Sequence, residues 1–284
     1  MTRNFLLGAA LLLALSPVAA VASKLNVASF STILTEVAQK VGGEHVVVFG
    51  LVKPGVDPHE YEPTPADMRR ASEAQLILTS GRLSESYLNK LQEVSAGKAT
   101  LLAVGDQLPG LAPNDIHWWN AVGNVEAATV VVRDALTKLD PADAADFARN
   151  AQAYLTSLEQ LQHWVRQKVA ELPRDRRTLV TAHDAFQDFA SKYGFETQAI
   201  EGVDPEGEPS NRHVAELIER IKKDHVKAIF IESTLNPKVT TQITRETGAR
   251  IGGVLYADGL GTGAASSYAG MIQHNVSTIV DALK

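Results

Sequence analysis

The 284-residue sequence carries 27 Lys and Arg against 33 Asp and Glu, a net charge of −6, and no cysteine. An acidic chain without basic runs suits neither nucleic acid nor an anionic membrane surface, and neither is expected as a partner. Without cysteine there is no disulfide framework, so the fold must be stable without one.

The first 22 residues read as a secretory signal. Arg3 supplies the positive start, residues 5–15 an apolar run, and Ala20-Val21-Ala22 the small residues of a cleavage site. An 11-residue run falls short of the about 20 apolar residues that span a bilayer. A lipid-anchored exported protein needs a cysteine at its cleavage site, so a free periplasmic protein is expected.

Two alternating series follow. Strands are predicted at 25–28, 45–49, 75–78 and 100–104, with helices at 33–41, 65–71 and 84–94, a loop over 105–120, and a closing helix at 125–139. The second series has strands at 178–181, 196–200, 228–231 and 251–256. Its helices are predicted at 185–193, 212–223 and 238–247, with a last one ending near Leu283 and Ser210 or Asn211 as the cap before Arg212. Alternation of this kind predicts parallel βαβ units. Between the series, residues 142–172 hold no Gly or Pro. Phe147, Ala151, Tyr154, Leu155, Leu158, Leu161, Val165 and Val169 recur there at steps of three and four, mostly, which is one helix face. The expected architecture is two α/β lobes with mostly parallel sheets, 23–141 and 173–284, joined by a stiff helix of about 30 residues and about 45 Å.

Five of the eight histidines, His45, His163, His213, His225 and His274, fall on or beside predicted strands and helices and read as surface or packing residues. His59, His117 and His183 differ, because each lies in a segment that follows a strand. Asp258 follows the last strand in the same way. Open parallel sheets bind ligands at that carboxyl edge, and two residues come from each lobe, so the cleft between lobes is the expected site. Three imidazoles and a carboxylate suit a borderline-soft divalent ion such as zinc, with copper, iron, nickel and manganese also compatible. Zinc ligation needs neutral imidazole, so affinity is expected to fall as pH drops through about 6.5. Glu60, Asp184 and Glu232 are candidates for orienting the rings. Four protein ligands close a tetrahedron, as in a carrier; the rival reading, a zinc hydrolase, needs an open position and a general base such as Glu60 or Glu232. Gly259-Leu260-Gly261-Thr262-Gly263-Ala264 partly matches a dinucleotide fingerprint. It comes too late in the chain for a further βαβ unit, and its glycines are read as letting the backbone turn around Asp258.

Several segments resemble the zinc and manganese group of metal-specific solute-binding proteins of bacterial ABC importers. Pro54-Gly55-Val56-Asp57-Pro58-His59-Glu60-Tyr61-Glu62-Pro63-Thr64-Pro65-Ala66-Asp67 matches that family's first ligand loop. Thr181-Ala182-His183-Asp184-Ala185-Phe186 matches the third, and Gly207-Glu208-Pro209-Ser210, Phe230-Ile231-Glu232-Ser233 and Tyr256-Ala257-Asp258-Gly259-Leu260-Gly261 match its C-terminal lobe. The second loop departs from the usual pattern: Asp115-Ile116-His117-Trp118-Trp119-Asn120-Ala121 keeps the histidine and a tryptophan but not their flanks. The resemblance implies two lobes joined by one long helix and a metal held in the cleft by His59, His117, His183 and Asp258. It further implies a monomer that hands the ion to a cognate membrane permease, and no enzymatic activity. Histidine at position 183 leans toward Zn2+, with Mn2+ the alternative. No histidine lies between 105 and 116, where many zinc binders carry a His-rich loop, so any metal-collecting step would fall to a partner such as a periplasmic metallochaperone.

Overall fold

The computed structural model describes residues 23–82, 87, 89, 91, 93, 98–113, 115–203 and 209–284. The expected signal segment 1–22 and most of the expected helix 84–94 lie outside the described residues, as do Gly207 and Glu208.

The first sheet holds β1 (Leu25–Ser29), β2 (Val46–Gly50), β3 (Leu76–Thr79) and β4 (Thr100–Ala103) in the order β2-β1-β3-β4. The second holds β5 (Thr178–Thr181), β6 (Glu196–Ala199), β7 (Ala228–Glu232) and β8 (Arg250–Leu255) in the order β6-β5-β7-β8. Every pairing is parallel. All carboxyl ends of a sheet therefore point to one edge, and the loops that leave it share that edge. The inner strand β3, Leu-Ile-Leu-Thr, is buried throughout, as a strand covered on both faces must be.

Local chemistry starts the helices. In α1 (Thr32–Gly42) the Ser31 side chain accepts from the Leu34 amide, and Ile33, Leu34, Val37, Ala38 and Val41 form the buried stripe. Helix α2 (Pro65–Ser72) opens with Pro at its first turn and a capping box between Thr64 and Asp67, which ends the first candidate ligand loop firmly. Helix α3 (Val122–Leu139) begins nearly a turn earlier than predicted. Ala121 cannot cap it; instead Asn124 inside the first turn sends its amide back to Trp118 O at 2.9 Å. The long helix, α4 (Ala144–Ala170), spans 27 residues, about 40 Å, after a short 3-10 turn at Pro141–Asp143. Of its predicted apolar face only Leu155 is half-exposed. Helices α5 (Gln187–Tyr193), α6 (Asn211–Lys223), α7 (Lys238–Thr247) and α8 (Tyr268–Leu283) complete the second lobe. Ser210, not Asn211, caps α6 by accepting from the His213 amide. Helix α5 starts two residues later than expected, because Ala185 N turns back to His183 O at 3.0 Å.

Helix α4 packs on α1 and α3 of the first lobe and on α8 of the second. The consequence is one continuous apolar core running from Val27 and Leu34 through Phe147, Leu158 and Val165 to Leu179, Tyr268 and Ile279. Smaller clusters cover the far faces of the sheets, around Phe30 and Ile77 in one lobe and Val180 and Ile229 in the other.

The glycines after β8 have a different cause from the one expected. A Cβ on Gly261 would lie 2.1 Å from the Tyr256 ring, and one on Gly259 would lie 2.5 Å from Thr32 Oγ1 of the first lobe. Close approach excludes side chains there; only Gly263 adopts positive φ. The next α-helix begins at Tyr268, so no helix opens directly on the glycine run as a dinucleotide site requires.

Candidate metal centre

Each of the four sequence-selected residues leaves a strand end. His59 lies between β2 and α2, His117 between β4 and α3, His183 just beyond β5, and Asp258 just beyond β8. The structure brings all four together, with one nitrogen or oxygen of each within 4.8 Å of the others. The remaining five histidines stand elsewhere: His163, His213 and His225 are exposed, His274 reaches Val254 O, and His45 pairs with Asp143 and Asp146.

The spacing is that of a small tetrahedron. His117 Nε2 lies 3.1 Å from His59 Nε2 and 3.2 Å from His183 Nε2. Asp258 Oδ1 lies 3.5, 3.5 and 3.2 Å from the Nε2 atoms of His59, His117 and His183. A tetrahedron with ligands about 2.0–2.1 Å from its centre has edges of about 3.3–3.4 Å. The five separations of 3.1–3.5 Å are close to such edges, and all four atoms lie within 4.8 Å of one another, so the heads of these side chains frame a space of about the size of that tetrahedron. Asp258 Oδ1 is fully buried and accepts no hydrogen bond among the described residues, a state that is costly for a carboxylate oxygen unless a cation faces it. His117 and His183 are wholly buried, and the His59 side chain is 6% exposed, so solvent reaches the cluster past His59.

Carboxylates set the three histidines from behind. Each backbone N–H donates to one: His59 to Asp57 Oδ1 at 2.9 Å, His117 to Asp115 Oδ1 at 2.7 Å, His183 to Glu232 Oε1 at 3.1 Å. The other Glu232 oxygen meets His183 Nδ1, which fixes the tautomer that turns the Nε2 lone pair inward. Asp115 Oδ1 also lies 3.3 Å from His117 Nδ1. Asp258 is held by its outer oxygen, Oδ2, which accepts from the Thr234 hydroxyl at 2.7 Å. Burial opposes charge on Asp258, but the facing His183, with His59 and His117, keeps its carboxyl well below the usual range. Burial likewise opposes charge on His183 and His59, yet Asp258, helped at His183 by Glu232, holds both above the usual imidazole value. His117 is pushed down by burial, which its partners only partly offset. A cation entering this cluster displaces protons and neutralises buried carboxylates.

Comparison with known proteins gives this constellation a context. The model of the family described as zinc-uptake complex component A, periplasmic, matches residues 27–282. The chain belongs to this family. Among its relatives are the manganese-binding lipoprotein MntA of Halalkalibacterium halodurans, 33% identical over 90% of this chain and 87% of that protein, and the iron-binding protein YfeA of Yersinia pestis, 34% identical over 91% and 86%. The solved periplasmic zinc-binding protein TroA of Treponema pallidum superposes with a TM-score of 0.85 at 33% identity, covering 92% of this chain and 99% of that one. The zinc-uptake component family thus contributes the fold, two α/β lobes with parallel sheets and a joining helix, and the general role, a substrate-binding protein for a divalent metal. The named metals of the three relatives are manganese, iron and zinc, so membership alone does not choose among them.

Within this family frame, the sequence reading located all four clustered side chains but only part of what holds them. Of the three acids nominated to orient rings, Glu232 does so; Glu60 is exposed, and Asp184 instead accepts from Gln187. Asp115, Asn120 and Thr234 went unrecognised. One signal was available: Asp-x-His occurs at both Asp57–His59 and Asp115–His117, and an aspartate two residues before a histidine is placed to accept that residue's N–H as an Asx turn.

Proposed function

We propose that this protein captures a single divalent transition metal, zinc in preference to manganese, at His59, His117, His183 and Asp258, and delivers it to the permease of an ABC importer. The observation that carries the reading is the four-atom tetrahedron with the buried, unsatisfied Asp258 Oδ1 at one corner. The preference for zinc rests on Asp258. Its second oxygen accepts from Thr234, which favours ligation through Oδ1 alone and four ligands in all. Four-coordinate nitrogen and oxygen ligation suits zinc, whereas manganese favours a larger, oxygen-rich shell. The same closure argues for a carrier and against a hydrolase, because no coordination position is left for a reactive water. A monomer released into the periplasm is part of this proposal. The lipoprotein description is that of relatives such as MntA.

The test is elemental analysis of the purified protein followed by chelator competition with zinc, manganese, iron and copper. Zinc should dominate, and His59→Ala should weaken zinc binding by more than about 100-fold, beyond what outer-shell changes produce, with unaltered circular dichroism. Unchanged zinc affinity in His59→Ala would refute the site; dominant manganese would refute the metal preference.

A further inference from the structure

Immediately after His117 the chain makes a single 3-10 turn, Trp118–Asn120. Asn120 ends it and is 1% exposed. Its amide nitrogen donates to two backbone carbonyls of the other lobe, Ala185 O at 2.9 Å and Ala257 O at 3.0 Å. An asparagine amide has two N–H donors, and both are used. The acceptors are placed tellingly: Ala185 lies two residues beyond His183, and Ala257 directly precedes Asp258. Ala257 O also takes the Trp119 indole N–H at 2.8 Å, and Trp119 O in turn accepts from the Tyr268 hydroxyl at 2.7 Å. Three ligand loops from two lobes therefore meet on two consecutive side chains.

The arrangement is not what packing alone would select. Asn120 Oδ1 is buried without a hydrogen-bond partner among the described residues, so the position tolerates an unsatisfied oxygen that leucine, with a similar branched shape, would avoid. What the amide provides is the pair of donors. Ala185 and Ala257 are both buried, so their carbonyls depend on protein donors.

We infer that Asn120 is a positioning residue that locks the His183 and Asp258 loops to the His117 loop and thereby sets the rate at which the metal leaves. This rests on the metal-site reading above. With the clip intact, separating His117 from His183 and Asp258 requires breaking hydrogen bonds to both carbonyls together. Without it, the His183 loop loses its tie to Asn120 and Ala257 O keeps only the Trp119 indole N–H, so the loops are joined less firmly and water replaces the lost donors. Differences in affinity between related complexes lie mostly in dissociation, so the effect belongs there.

The experiment loads the full-length protein with zinc and follows its release into excess chelator by stopped flow, alongside zinc association and the melting temperature of the metal-free protein. Asn120→Leu, which keeps shape and removes the donors, should release zinc at least about ten-fold faster, with association within about three-fold of the parent. Asn120→Ala, which cannot clash and admits water, should behave alike and serves if the leucine variant does not fold. Release rates unchanged in a folded variant would overturn the inference, as would acceleration matched by an equal slowing of association. His59→Ala, run in parallel, separates the two readings: loss of zinc there with normal release in Asn120→Leu leaves the site standing and refutes only the clip.

Discussion

Asp57, Asp115 and Glu232 perform one task three times, accepting the backbone N–H of a clustered histidine. Two are local in sequence and the third is 49 residues away, so only the first two could be read from spacing. Glu232 does more than the others because it also grips the His183 ring. Glu232→Gln keeps the shape while removing the charge that raises the basicity of the ligand and orients it. Zinc affinity should drop about 10–100-fold. The same chelator competition measures it, and parental affinity would show that the ring needs no charged partner.

Among the elements, α2 and α4 show how local signals become placement. The Thr64–Asp67 capping box ends the His59 loop, and the Tyr61 hydroxyl donates to the same Asp67 at 3.1 Å, so cap chemistry and ligand-loop geometry share a residue. At the start of α4, His45 lies between Asp143 and Asp146, at 2.6 and 2.9 Å, and ties the strut to the strand β2 that leads to His59. Burial disfavours its charge, but Asp143 and Asp146 outweigh that and raise its pKa. A group whose folded pKa is raised stabilises the fold fully below its unfolded value of about 6.5, and this stabilisation fades as pH rises through the folded value. The melting-temperature gap between the parent and His45→Gln should therefore be larger near pH 6 than near pH 8.5. A gap that widens with pH would contradict the assignment.

For the whole molecule, the strut is part of the core and not merely a spacer. Leu158, 1% exposed at the middle of α4, belongs to an apolar cluster shared by both lobes. Leu158→Ala should cost about 2–5 kcal/mol and lower the midpoint of one cooperative transition. Calorimetry resolving two transitions, with only one displaced, would mean that the lobes unfold separately.

The alternation of strands and helices, the Gly- and Pro-free strut and the four strand-end side chains that cluster were legible in the chain because each depends on periodicity or on position relative to a strand, both local properties. Helix starts were less so: Asn124 reaching back to Trp118 moved one, and Ala185 turning to His183 moved another. Closure of the site was not legible at all. Asn120 meets carbonyls 65 and 137 residues away, Thr234 meets Asp258, and Thr32 crowds Gly259 from the opposite lobe. Contacts between distant segments leave no repeat in the sequence, since hydrogen bonds and steric fit act through space. The residue types therefore named the chemistry, while the packing of two sheets against one helix set the distances that make it a tetrahedron.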